Sequence, residues 1–249
     1  AEKELSRVKH YFIGTHSIFD NYSAGLYEED AIKLLNELFK KNDVVLLVGG
    51  SMMYIDAVCN GMDDIPNVKP EIRAFSQKEY TEKGLEFIQN ELKRLDERHY
   101  TEVDLQNPKR IVHALEICTQ TGKTFSEFRT GEKKKRDFEI LKIGLNRPRA
   151  ELYERINQRV DIMMQDGLLE EAKPFYPHKQ LNTLNTVGYK ELYKYMDGEW
   201  TLDFAVNMIK QDSRHYAKRQ LTWFNRDEVI HWFHPQEEEK IIHFIDEKL

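Results

Sequence analysis

Long apolar runs are scarce in this chain: the longest, Val44 to Val48, has five residues. A membrane-spanning helix needs about twenty, and the apolar part of a secretory signal about ten. Neither is present, and no membrane is expected as a partner. Cysteine is nearly absent too. Cys59 and Cys118 lie far apart and form no C-x-x-C pair, which argues against a disulfide framework or a Cys-type zinc site and for a reducing, cytoplasmic compartment. No G-x-S-x-G elbow, internal repeat or low-complexity stretch occurs,. The nine histidines are scattered. His231 and His234 are close, but Trp232-Phe233 between them reads as a strand that turns them to opposite faces, so no metal ligand set is expected,.

What is present is ordinary globular material: 249 residues, 40% hydrophobic, with 37 basic and 43 acidic side chains and a net charge of −6,. Such a length suits one large or two small domains with a sizeable core. The charge is unevenly spread. Between Asn107 and Arg136 stand eight Lys/Arg against three Glu, and between Ala205 and Arg226 five against one Asp. An acidic body with two basic segments fits a protein that binds a polyanion; solvated helix faces would read the same way. The lysines at 133–135, after Thr130-Gly131, read as a mobile loop.

Val44-Val45-Leu46-Leu47-Val48, bounded by turn residues, reads as a strand buried on both faces of a parallel sheet. Gly49-Gly50 ends it, and Ser51 can cap a helix running toward Val58. Upstream, Glu28 to Lys40 is helical. With Phe138–Leu145 as a second strand, the order points to an α/β fold, although two clear strands are few for such a sheet. Ile72–Lys83, Leu85–Leu95 and Pro108–Thr121 read as helices of an insertion, the last closed by Gly122. Arg147-Pro148-Arg149 opens a helix striped with Leu152, Ile156, Val160, Met163 and Met164 that ends near Gly167. Another follows from Leu168, and Leu202–Phe224 forms a long amphipathic helix carrying the second basic cluster. The expected divisions are 1–66 and 136–249 for the two parts of the α/β core, and 67–135 for the insertion.

Gly122-Lys123-Thr124 imitates the end of a phosphate-binding loop, but Ile117 stands where the first glycine belongs, so Gly122 is read as a helix cap. Gly49-Gly50-Ser51, after a strand and before a helix, is either an anion- or base-binding turn or a plain capped turn. Arg155 and Arg159 project from one face of their helix; they can grip a pyrophosphate or pair with Glu151, Glu154 or Asp161. From Arg214 to Phe224, cations alternate with His215, Tyr216, Gln220 and Trp223, a pattern suited to phosphates and stacked bases or, for the aromatics, to a core.

Together these segments resemble the bacterial tRNA dimethylallyltransferases (tRNA isopentenyltransferases). The likeness runs through Val8-Lys9-His10, Tyr22-Ser23-Ala24-Gly25, Leu47-Val48-Gly49-Gly50-Ser51-Met52-Met53-Tyr54 and Asn107-Pro108-Lys109-Arg110-Ile111-Val112-His113-Ala114-Leu115-Glu116. It continues through Gln158-Arg159-Val160-Asp161-Ile162-Met163, Gly167-Leu168-Leu169-Glu170-Glu171, Thr186-Val187-Gly188-Tyr189-Lys190-Glu191 and Tyr216-Ala217-Lys218-Arg219-Gln220-Leu221-Thr222-Trp223.

The resemblance implies a P-loop-kinase-like parallel sheet core, incomplete here, with a helical insertion that grips the tRNA anticodon stem-loop and a helical C-terminal part. It implies transfer of a dimethylallyl group from dimethylallyl diphosphate to N6 of the adenosine 3′ of the anticodon, with Mg²⁺, by a monomer. Arg159 corresponds to a diphosphate-binding arginine. Ser51, Arg73, Lys109, Arg110, Ile111, Val112, His113, Gly188, Tyr189, Lys190, Arg214, Lys218, Arg219, Gln220 and Trp223 fall in tRNA-contacting stretches. The family's P-loop and general-base Asp have no counterpart in this sequence. They and most of the Mg²⁺ site are expected in a missing N-terminal segment, and the chain alone is expected to be inactive. Lys9 replaces a usual Pro, Ser51 a usual Thr, and Asn225 an Arg, with Arg226 following. Modification of free adenylate, as in the adenylate isopentenyltransferases, and non-catalytic RNA binding are the rival readings. The insertion and its basic segment favour a macromolecular acceptor.

Overall fold

The computed structural model describes residues 7–249. The chain divides into two compact units, one formed by the residues up to Ser23, Leu46–Ile55 and Phe138–Leu249, the other by Ala24–Val45 and Asp56–Asp137. Helix Ala24–Leu38 and its following turn therefore group with the insertion helices. No described helix is long and apolar enough to cross a membrane.

The second unit is helical: α1 (Ala24–Leu38), the end of α2 (Met52–Asn60), α3 (Pro70–Leu95), α4 (Glu97–Glu102), α5 (Pro108–Thr121) and α6 (Phe125–Phe128). Its core joins Ile88 and Leu92 of α3 to Ile111, Ala114, Leu115, Ile117 and Cys118 of α5, closed by Val68 and Phe125. Full burial of a side chain the size of Leu92 contributes about 1.5–3 kcal/mol. Local signals set the boundaries. Asn107 caps α5 by accepting from Arg110 N, Pro108 takes the first turn, and Gly122 ends the helix in the left-handed region at φ 71°,. Gly122 is thus the cap expected, not part of a phosphate loop. The two helices expected on either side of Gly84 form one rod broken there, where φ 80° and ψ −176° suit only glycine,.

The lysine run is anchored at Lys134 and at the turn before it, while Lys133 and Lys135 are exposed. Lys134 N donates to Asn60 O, Lys134 Nζ reaches Asp64 at 2.8 Å and Glu28 at 3.5 Å, and Asp63 accepts from the backbone of Thr130 and Gly131. Carboxylates from distant parts of this unit hold Lys134 and the turn before it, which is invisible in a local run of like charge. Arg136 lies deeper, bonded to Glu28 and to the Ala57 and Val58 carbonyls.

The first unit has a small parallel sheet, β1 (Ile143–Leu145) beside β2 (His231–Phe233), with Gly144 opposite Trp232. A Cβ on Gly144 would lie 2.5 Å from the indole, so the close approach requires glycine. Around the sheet follow α7 (Arg149–Gln165), α8 (Leu168–Ala172), two 3₁₀ turns (Lys173–His178 and Asn182–Leu184), α9 (Tyr189–Met196), α10 (Leu202–Phe224) and α11 (Glu238–Asp246). Val160, Leu168, Ala172, Leu184, Leu192, Tyr193 and Ile209 form its core. The result is a mixed α/β architecture dominated by helices, as the sequence led one to expect.

Two strand assignments need correction. Val44–Val48 is neither paired nor buried: Leu46 is 82% and Val48 80% exposed. The reading as a doubly buried strand supposed hydrogen-bonded neighbours, and among the described residues only β1 and β2 pair,. The strand at Phe138–Leu145 shortens to Ile143–Leu145 for the same reason. The helix from Leu168 stops at Ala172, where Pro174 and Pro177 allow only a 3₁₀ turn,.

Candidate functional site

In the first unit the expected site residues centre on α10. Thr201 caps it, its hydroxyl accepting from Phe204 N, and Ala205 and Ile209 turn into the core. Two polar bonds strap α10 to α7 in opposite chain directions: Lys210 Nζ to Asp161 at 2.6 Å and Arg214 Nη1 to Asn157 Oδ1 at 2.6 Å. Arg214 thereby fixes the helix pair. Lys218 and Arg219 remain exposed, the Arg219 guanidinium 5.7 Å from the Tyr216 ring and that of Arg226 5.5 Å from Trp223. Asn225 is the exposed C-cap of the helix.

Gln220 joins two of the expected segments. Its Nε2 donates to Gly50 O at 2.6 Å, and a Cβ on residue 50 would stand 2.2 Å from that nitrogen. The amide lies directly over the Gly50 backbone, and Ser51, exposed at the entrance to α2, follows. The glycine-serine turn is thus tied to the basic helix by a side chain that the sequence reading offered to the nucleic acid.

Arg159 is exposed on α7. With about 100° per residue it lies about 200° around the helix from Asn157, on the face turned from α10. The carboxylates that could have neutralised it are engaged elsewhere: Glu151 with Arg147, Glu154 with Gln158 and Asp161 with Lys210. Among the described residues no carboxylate pairs with its guanidinium.

Gly188, Tyr189 and Lys190 open α9, each bonded to an acid. Gly188, at φ 108°, donates its N–H to Glu191 Oε2 at 2.7 Å. The Tyr189 hydroxyl donates to Glu171 at 2.6 Å; burial, then this bond, push its pKa up to about 12. Lys190 Nζ sits 2.8 Å from Asp212 Oδ2, which raises the ammonium pKa.

In the helical unit, Arg73 Nε is 3.8 Å and His113 Nδ1 3.4 Å from the two oxygens of Glu116, a carboxylate only 4% exposed. Lys109 and Arg110 are exposed on the first turn of α5, whereas the side chains of Ile111 and Val112 fill the core. Only the polar members of that stretch offer side chains to a partner. Neither Glu116, Asn157 nor Asp212 stands out in the sequence as a partner of a site residue, because each acts across a helix contact or from within a helix. Among the described residues no group of three His, Cys, Asp or Glu side chains could hold a metal ion.

The IPP transferase family model matches residues 1–227. The chain is 57% identical over 243 residues to tRNA dimethylallyltransferase 1 of Bacteroides fragilis, covering 98% of this chain and 81% of that one. The full-length tRNA isopentenylpyrophosphate transferase of Bacillus halodurans superposes with a TM-score of 0.68 at 29% identity, over all of this chain and 80% of its own. A eukaryotic dimethylallyltransferase has a TM-score of 0.77 at 21% identity over 93% of this chain and 61% of its own, a likeness of fold. The chain belongs to the IPP transferase family.

Proposed function

We propose that the protein is a tRNA dimethylallyltransferase, carrying the dimethylallyl group from dimethylallyl diphosphate to N6 of the adenosine 3′ of the anticodon. The observation that carries this reading is 57% identity, across 98% of the chain, to a relative bearing that name. In the transfer, N6 bonds to the allylic carbon while the bond from that carbon to the diphosphate oxygen breaks. The electron pair leaves with the diphosphate and N6 gives up one proton. Arg159, exposed and without a carboxylate partner, is suited to the charge that grows on the leaving group. An adenosine drawn from its stack costs a few kcal/mol. Ser51, Lys218, Arg219 and Trp223, with Gln220 bracing the turn before Ser51, supply the phosphate and base contacts that offset it. Arg73, Lys109, Arg110 and His113 of the helical unit, flanked by the basic 123–136 segment, grip the stem-loop. Residues 67–135 serve as the insertion, and the α/β parts hold the prenyl donor.

The family reading brings Mg²⁺ with it, but the described residues offer no cluster that fits the ion. Two free cysteines fit work in a reducing compartment such as the cytoplasm,. An acceptor competition tests the proposal. The full protein, given dimethylallyl diphosphate and equal amounts of AMP and unmodified anticodon stem-loop, is expected to prenylate the stem-loop. Prenylation of AMP would move the protein to the free-nucleotide class. Salt-sensitive stem-loop binding with no affinity for the diphosphate would make it an RNA-binding protein only.

A further inference from the structure

Carboxylates repel phosphates, so acidic side chains beneath a surface meant for RNA need a reason. Glu191 is 1% exposed. One oxygen accepts the Gly188 N–H at 2.7 Å. The other accepts no hydrogen bond, its nearest cation being Lys190 Nζ at 3.2 Å. The same ammonium touches Asp212 of α10 at 2.8 Å, and His215 Nδ1 approaches Asp212 at 3.7 Å. One lysine is therefore seated between a buried carboxyl of its own helix and a half-buried one of the next, while its side chain stays 41% exposed.

Geometry makes this a seat for Lys190 as well as a helix cap. A capping glutamate needs only one oxygen for the Gly188 N–H; here the second points at the ammonium. A lone carboxylate this deep would be costly. Burial raises the Glu191 pKa, and contact with Asp212 favours its protonated form, whereas Asp212 is held ionised, first of all by Lys190. The lysine sits against both acids and, being part exposed, keeps N–H groups to donate outward,.

We propose that Glu191 and Asp212 are positioning residues for RNA binding: they hold Lys190, and through Gly188 the turn that carries it, in the orientation that meets the anticodon stem-loop. This rests on the reading that the 188–190 turn touches tRNA. The test measures dissociation constants of the full protein for unmodified stem-loop and, separately, for dimethylallyl diphosphate, with thermal unfolding of each variant. Glu191→Ala is expected to weaken stem-loop binding about tenfold, by analogy with other groups that act through a charged contact, and to leave diphosphate binding unchanged. Glu191→Gln keeps an oxygen for Gly188 and is expected to restore binding to within about twofold, since Asp212 still holds the lysine. Asp212→Asn, which retains shape, is expected to weaken stem-loop binding and lower its salt slope, as is Lys190→Ala.

If Lys190→Ala weakens stem-loop binding while folded Glu191→Ala and Asp212→Asn bind like wild type, the positioning role is overturned and the tRNA-contact reading stands. If Lys190→Ala changes neither affinity nor salt slope, that reading fails at this turn and the proposal with it. Equal loss of stem-loop and diphosphate binding in the Glu191 and Asp212 variants, tracking their loss of thermal stability, would likewise overturn it in favour of a purely structural role.

Discussion

Gln220 of α10 donates its side-chain amide to the Gly50 carbonyl at 2.6 Å, spanning 170 residues of sequence. The bond fixes the glycine-serine turn against the basic helix, so that the exposed Ser51 and the exposed Lys218 and Arg219 belong to one framework within their unit. Gln220→Ala is expected to cost about 1 kcal/mol of stability and to weaken stem-loop binding several-fold. A Cβ at residue 50 collides with the movable end of the glutamine, so Gly50→Ala should displace that side chain and reproduce the Gln220→Ala effect. The double variant should then be no worse than either single one, which a double-mutant cycle in binding and urea unfolding checks.

On the proposed reading Arg159, and not Arg155 one turn earlier on α7, meets the diphosphate. Both are exposed on α7, and the neighbouring acids are engaged elsewhere. Arg159→Ala is expected to weaken dimethylallyl diphosphate binding at least tenfold, as loss of a charge-assisted contact does, and stem-loop binding by less than about twofold. Arg155→Ala is the control. Isothermal titration with each ligand distinguishes them.

Glu28 and Arg136 form a buried ion pair at 2.8 Å, with the remaining hydrogen bonds of each group satisfied by Met62 N–H and by the Ala57 and Val58 carbonyls. Removing one partner leaves a buried charge uncompensated. Glu28→Ala or Arg136→Ala is expected to destabilise the protein by about 3 kcal/mol, and the apolar pair Glu28→Leu with Arg136→Met to recover most of that loss. Urea denaturation measures the difference.

His99 gives the helical unit a defined response to acid. Burial, and then the charge of Arg129, whose guanidinium donates to His99 Nδ1 at 3.3 Å, hold its pKa below the ordinary 6.5. As pH falls below that value the unfolded chain takes up a proton that the folded imidazole refuses, so stability is lost until the lower folded pKa is reached. Asp96 does not share this window. Burial opposes its charge, but hydrogen bonds from His99 and Ser126 outweigh that and lower its pKa, so its contribution is lost only in stronger acid. The melting temperature should therefore drop between about pH 7 and pH 5, and His99→Gln should flatten that slope.

Much of this architecture is legible in local signals. Asn107-Pro108 and Gly122 bound α5, Thr201 opens α10, and Gly84 marks the break in α3, because caps, prolines and positive-φ glycines act within a turn of themselves. The Val44–Val48 run shows the limit. Its composition states a preference for burial, but a strand exists only with a partner, and pairing is a property of distant residues. The lysine run shows the same limit: Lys134 alone of the three meets Asp64 and Glu28, and no local pattern marks it out from its exposed neighbours. At the candidate site the cations and aromatics were visible by type. The acids that seat them were not, because Asp212 meets Lys190, and Glu116 meets Arg73, only across packed helices.

The decisive measurement is nucleoside mass spectrometry on an unmodified tRNA incubated with the full protein and dimethylallyl diphosphate. One added dimethylallyl unit on N6 of the adenosine 3′ of the anticodon, lost when Arg159 is replaced, is the predicted result. A tRNA that leaves the reaction unmodified, or prenylated at another position, would contradict it.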